Sequence, residues 1–142
     1  MYTYSCTITK IIDGDTVDVD IDLGFSVVLR NQRVRLYGCD TPESRTRDLV
    51  ERRYGFAAKR YVAAFLPVGS YAKLVSHDKG KFGRILGEFI VFNPLTESVE
   101  SLKDIMIREH IAVAYHGQSK DDIEEEHIIN RELINERYLQ EE

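Results

Sequence analysis

Two strand-like stretches meet at Asp13-Gly14, and together they commit the start of the chain to antiparallel sheet. Asp-Gly is a strong tight-turn signal between strands. After it, Val17, Val19, Ile21 and Leu23 alternate with Thr16, Asp18, Asp20 and Asp22. That is the period of a strand with one buried face and one acidic, wet face. Residues 5–12 supply the strand before the turn. Gly24-Phe25 then leads into a third strand that runs to about Tyr37, with an irregularity expected at Asn31-Gln32. Three sequential antiparallel strands make a meander.

The third strand ends in Arg35-Leu-Tyr-Gly-Cys-Asp-Thr-Pro-Glu43, the most chemically dense stretch of the chain. It carries a guanidinium, two carboxylates and, at Thr41, a backbone carbonyl that the following proline keeps out of helical geometry. Simple alternation puts Arg35 and Asp40 on opposite faces. Their convergence therefore requires a break at Gly38, the residue best able to adopt unusual backbone angles.

Further on, residues 44–53 are poor in apolar side chains and read as a surface loop. From Tyr54 the period becomes helical, with Ala57/Ala58, Tyr61/Val62 and Phe65/Leu66 on one face. Pro67 and Gly69 stop that helix. Residues 70–76 and 84–92 read as two more strands, joined through two glycines. Ser98 reads as the N-cap of a helix over about 98–110, with Val99, Leu102, Ile105 and Met106 facing inward. Residues 111–115 are extended. A last helix covers about 121–140, its acidic start suited to the positive end of the helix dipole, with Ile129, Leu133 and Ile134 holding it to the body. The expected fold is α+β, mainly β: a single domain over 1–142 built as a five-stranded OB-type Greek-key barrel with three helices, the barrel spanning about 2–92.

Composition is that of an ordinary globular chain of 142 residues, 43% hydrophobic and 30% charged. No stretch approaches the roughly 20 apolar residues of a membrane span, and the N-terminus lacks the pattern of a signal peptide. A cytoplasmic monomer with Cys6 and Cys39 as reduced thiols is the expectation. The net charge of −5 argues against a polyanion partner until its distribution is seen. Residues 1–119 carry 16 Lys+Arg against 15 Asp+Glu, and residues 120–142 carry 3 against 9. The acidity belongs to the terminal segment. Between Arg45 and Arg60 six basic residues face two acids, a local patch where a polyanion could lie.

Four pieces combine chemically: Asp13 to Thr16, Asp40 to Glu43, Arg35, and Arg84 at the start of a strand. Carboxylate and carbonyl oxygens suit calcium, guanidinium pairs with phosphate, and a carboxylate beside a metal-bound phosphate can take a proton from water. Together they describe metal-assisted phosphodiester hydrolysis. Each piece alone also has an ordinary reading as a turn, a loop start or a solvated strand end. His77, His110, His116 and His127 lack zinc-site spacing; they read as structural or surface residues, with His116 the candidate nearest a pocket rim.

The ordered set Asp13-Gly-Asp-Thr16, Arg35-x4-Asp40-Thr-Pro-Glu43, Tyr54-Gly55, Phe82-Gly-Arg84 and Ala112-Val-Ala-Tyr115 resembles the staphylococcal nuclease family along nearly the whole chain. The resemblance implies an OB barrel and a nuclease that uses one calcium ion on DNA or RNA and leaves 3′-phosphate ends. It implies that Asp15, Asp40 and the Thr41 carbonyl bind the metal, with Asp13 behind them. Glu43 would act on the attacking water, Arg35 and Arg84 on the phosphate, and Lys81 and Tyr115 on the substrate. The alternative is a non-catalytic OB module that only binds nucleic acid or protein. Three departures stand out: Phe82 where the best-known member of the family has a tyrosine, Gly117 where that member has a second substrate-binding tyrosine, and an acidic last helix in place of a basic one.

Overall fold

A computed structural model of the chain describes residues 1–79 and 83–140. The first three strands are β1 (Tyr2–Asp13), β2 (Thr16–Asp22) and β3 (Val28–Leu36), paired antiparallel in sequence order. The expected irregularity is a bulge. Val19 pairs with Gln32 and Ile21 with Leu29, so one extra residue is accommodated on β3, where Asn31 takes a φ of 56°. The Asn31 amide donates to Asp20 Oδ1 at 2.9 Å, which holds the bulge in place.

A two-residue β4 (Cys39–Asp40) follows, then helix α1 (Leu49–Phe65), β5 (Tyr71–Lys79) and β6 (Ile85–Asn93). β5 pairs antiparallel with both β1 and β6. The first half of β6 then pairs parallel with β3, Val34 to Ile85 through Leu36 to Gly87, and closes the barrel. Five strands form the closed barrel, and three helices pack on it, as expected for an α+β OB-type fold. Phe89, Ile8, Leu36, Leu74, Val17, Val19 and Val34 fill its interior with essentially no exposure. Burying side chains of this size gives about 1.5–3 kcal/mol each against leaving them in water.

The structure corrects four readings. Helix α1 begins at Leu49, not Tyr54. Asp48 caps it by accepting from the amides of Val50 and Glu51, and the first turn is solvated, so no apolar face announced it. Residues 98–101 are not the start of a helix but strand β7 (Ser98–Ser101), paired with the second half of β6, and Val99 is exposed. Helix α2 is only Leu102–Arg108, with Leu102, Ile105 and Met106 buried as expected. After β8 (Val113–Ala114), helix α3 spans Lys120–Leu133, and a 3-10 turn covers Glu136–Leu139. Ile129 and Leu133 lie more than half exposed on α3, so neither anchors it; the buried positions are His127 and, just past the helix, Ile134.

Cys6 and Cys39 are both buried free thiols. Burial pushes the Cys39 thiol up to about 12 and the Cys6 thiol up to about 11. Among the described residues no helix is long and apolar enough to cross a membrane.

Candidate active site

The β1–β2 turn and the segment after β3 meet because glycine allows it. A Cβ on Gly14 would stand 2.7 Å from Ala58 Cβ and 2.9 Å from Thr41 Oγ1. The hairpin tip therefore tucks between α1 and Thr41 at a distance no larger residue permits. The amide of Leu36 donates to the Asp15 carbonyl at 2.9 Å, which fixes the tip to β3. The Asp15 side chain then accepts from Thr16 Oγ1 at 3.1 Å and from the Thr41 amide at 3.4 Å.

Arg35 folds over the turn that follows it. Gly38 takes a φ of +83°, the break that alternation required. Nη1 of Arg35 donates to the carbonyls of Leu36 and Cys39, both at 2.9 Å. Nη2 lies 3.4 Å from Asp15 Oδ2 and 3.3 Å from Asp40 Oδ1. One guanidinium thus stitches the turn shut and stands between two carboxylates from different elements. Asp40 is held from the other side by β4–β8 pairing, Asp40 to Val113, and the Tyr115 amide donates to the Gly38 carbonyl at 2.9 Å.

These residues open onto a cleft of about 1290 Å³. Asp13, Asp15, Arg35, Asp40, Thr41, Glu43, Arg84 and Tyr115 all line it. Arg84 arrives there because β3 and β6 pair, which sets Arg35 opposite Leu86, two residues beyond Arg84. Lys81 and Phe82 lie outside the described residues. Of the opposite wall only His116, the histidine expected at a pocket rim, was legible in the sequence. That wall comes from the loop after β8 and from α3, through His116, Gln118, Lys120, Ile123, Glu124, His127 and Arg131. His127 reaches furthest: its Nε2 lies 2.7 Å from Asp40 Oδ2. Nothing in local spacing signals that contact, which spans 87 residues. Of the basic patch, Arg45, Arg47, Arg52 and Arg53 are exposed, while Arg60 is drawn away to donate to the Tyr138 carbonyl at 3.2 Å.

Burial raises the Asp15 carboxyl above its ordinary value; Arg35 opposes the shift, and Asp40 and Asp13 add to it by repulsion. Glu43 is raised too, by burial and then by Glu51, Asp13, Asp15 and Asp40. Such crowding of acids weakens the fold unless positive charge enters. A carboxyl raised above its unfolded 3.8 contributes stability below that pH and loses it as pH climbs through the folded value. Asp15→Asn is therefore expected to melt higher than the parent in chelator at pH 7. The gap should narrow as the solution is acidified towards pH 4. Thermal melts across that range check this; a gap indifferent to pH would show that the ionised Asp15 carries no such strain.

A profile of the family described as staphylococcal nuclease homologue matches residues 33–135. The chain belongs to this family. The matched span holds Arg35, Asp40, Thr41, Glu43, Arg84 and Tyr115, while Asp13 and Asp15 precede it. No curated protein matches the chain. Membership and the closed barrel agree on a nuclease-like, nucleic-acid-related OB fold with an SNase-type architecture.

Family membership raises a metal, and the donor set bears on it. Among the described residues no three His, Cys, Asp or Glu side chains come together as a metal site by themselves. The set at issue is different: two carboxylates and a backbone carbonyl, all oxygen. Asp15 and Asp40 turn toward one positive centre, now the Arg35 guanidinium, and the neighbouring Thr41 Oγ1 is buried without a partner among the described residues. Oxygen donors with excess negative charge fit a hard divalent cation that keeps several of its waters.

Proposed function

We propose that the protein is a metal-dependent nuclease that hydrolyses phosphodiester bonds of DNA or RNA in the cleft between the barrel mouth and α3. The observation that carries this reading is the convergence of Asp15, Arg35 and Asp40 at 3.3–3.4 Å beside Glu43 and Arg84. The oxygens of Asp15, Asp40 and Thr41 would hold one calcium ion, with Asp13 supporting from behind. When bound, the ion supplies Lewis-acid polarisation of the phosphate and offsets the crowded negative charge.

The chain's own residues account for the remainder. Arg35 is preorganised: two carbonyls fix Nη1, and Nη2, between Asp15 and Asp40, has little freedom left to lose. Arg84 approaches the same space from β6. Two positioned guanidiniums suit the charge that builds on a phosphoryl group as it is attacked. Glu43 is exposed at the cleft edge, and its raised carboxyl moves it toward the range in which a base can take a proton from water. Tyr115, 47% exposed, offers a ring and a hydroxyl to a base or phosphate at the rim. Product with a 3′-phosphate would follow from departure of the 5′ oxygen.

The test is direct. Single-stranded DNA, duplex DNA and RNA are incubated with calcium, magnesium or chelator, and product ends are identified. Calcium is expected to support cleavage and to raise the melting temperature by several degrees. Binding to the folded form alone stabilises by about 2.7 kcal/mol at a hundredfold excess over Kd, and about 1 kcal/mol moves the midpoint of a domain this size by roughly 2–4 °C or more. No cleavage with any divalent ion and an unchanged midpoint would leave a non-catalytic nucleic-acid-binding module as the function.

A further inference from the structure

Helix α3 is attached to the body in an unusual way. Its buried residue is His127, while Ile128, Ile129 and Leu133 on the same helix are about half exposed. His127 is in turn joined to the candidate site, Nε2 to Asp40 Oδ2 at 2.7 Å. An ionised carboxylate only accepts, so Nε2 carries the proton and donates. The other ring nitrogen, Nδ1, is buried and has no partner among the described residues. Asp40 is thus the ring's polar tie among those residues. The two oxygens of Asp40 are divided: Oδ2 belongs to His127, and Oδ1 turns to Arg35. A second, independent tie holds α3 nearby, where Asn130 Nδ2 donates to the Ala112 carbonyl at 3.1 Å.

We propose that His127 is a positioning residue for Asp40. It occupies Oδ2 so that the carboxylate presents Oδ1 to the space shared with Asp15, and it thereby couples the docking of α3 to cation binding at the site. The proposal rests on the metal-dependent reading above. A hydrogen bond that orients a ligating carboxylate commonly changes metal affinity by about 10–100-fold when removed. The coupling is reciprocal: if docked α3 favours the cation, the cation favours docked α3.

The experiment uses the full chain and calcium alone, without nucleic acid. Parent, His127→Leu, His127→Gln and Asn130→Ala are titrated calorimetrically with calcium, and amide exchange over residues 120–133 is followed with and without the ion. His127→Leu keeps the apolar bulk and removes the donor; its calcium affinity is expected to fall about 10–100-fold. Glutamine, whose amide can still donate, should recover most of the loss. Calcium should slow exchange over 120–133 in the parent and not in the leucine variant. Asn130→Ala weakens one tie of the helix and leaves the His127 donor on Asp40, so its affinity should fall by much less than the leucine variant's. If the leucine variant does not fold, His127→Asn, whose amide is too short to reach Asp40, replaces it. Parent-like affinity in the variant lacking the donor would overturn the coupling while leaving the nuclease reading intact. A loss in Asn130→Ala equal to the leucine variant's would overturn the positioning role of His127, since undocking alone would then explain the effect. A parent that binds no calcium would overturn both readings together.

Discussion

Gly55→Ala is expected to lower the melting temperature by several degrees and to take cleavage with it. Gly55 is buried on the face of α1 that lies against the loop after Asp40. A Cβ there would stand 2.2 Å from the Glu43 carbonyl oxygen, 2.3 Å from its carbon and 2.5 Å from the Ser44 amide nitrogen. All three are backbone atoms, so no side chain can turn aside to make room. Alanine favours a helix interior by about 1 kcal/mol over glycine, and overpacking a tight site costs about 1–3 kcal/mol, occasionally more. At these distances the clash wins, and the loop carrying Glu43 has to move. Thermal melting and the cleavage assay on the purified variant check this. A midpoint at or above the parent's would mean that α1 can slide without cost and that its contact with the Glu43 loop is not a tight one.

Arg35→Lys should lower turnover by about 10²–10³, the usual loss when one preorganised donor to a developing anion is removed. Lysine is a single-point donor and lacks the planar fork. The structure adds a second expectation. Arg35 Nη1 serves the Leu36 and Cys39 carbonyls, and a buried acceptor left without its donor costs about 1–3 kcal/mol. The variant should therefore be both slower and less stable, whatever cation is present. Arg84→Lys, on the same barrel wall of the cleft, should show the same direction in turnover. Single-turnover rates and chelator melts separate the two effects. Near-parent turnover in purified Arg35→Lys would remove the guanidinium from the chemistry.

Much of the barrel could be read from local patterns because its strands announce themselves at period two. β2 alternates without a fault, and the bulge on β3 falls where Asn31-Gln32 interrupts the rhythm. What escaped was decided by partners far along the chain. β7 is four residues long, too short for a period to show, and it exists because β6 offers an open edge beyond the β3 pairing. The first turn of α1 is held by the Asp48 cap and solvent rather than by an apolar stripe. On α3 the apolar stripe misled: Ile129 and Leu133 look like anchors in a helical wheel, yet the residue turned inward is a histidine whose partner is Asp40. The candidate site divides the same way. Asp15, Arg35, Asp40 and Glu43 sit in short motifs and were visible as such, while the wall supplied by α3 depends on where the helix docks.

The two buried thiols turn the molecule into its own reporter of local opening. Only a thiolate reacts with alkylating reagents at useful rates, and both cysteines are shielded and shifted well away from neutrality. Each therefore stays silent until the structure around it opens. Cys6 lies in β1, between β2 and β5, at the heart of the barrel. Cys39 lies in β4, whose pairing with β8 covers only two residues beside Asp40. The labelling rate of Cys6 follows rupture of the barrel, and that of Cys39 follows the separate breathing of the strand that carries the site. Comparing the two in a single protein distinguishes an unfolding event from a movement confined to the cleft, without any introduced probe.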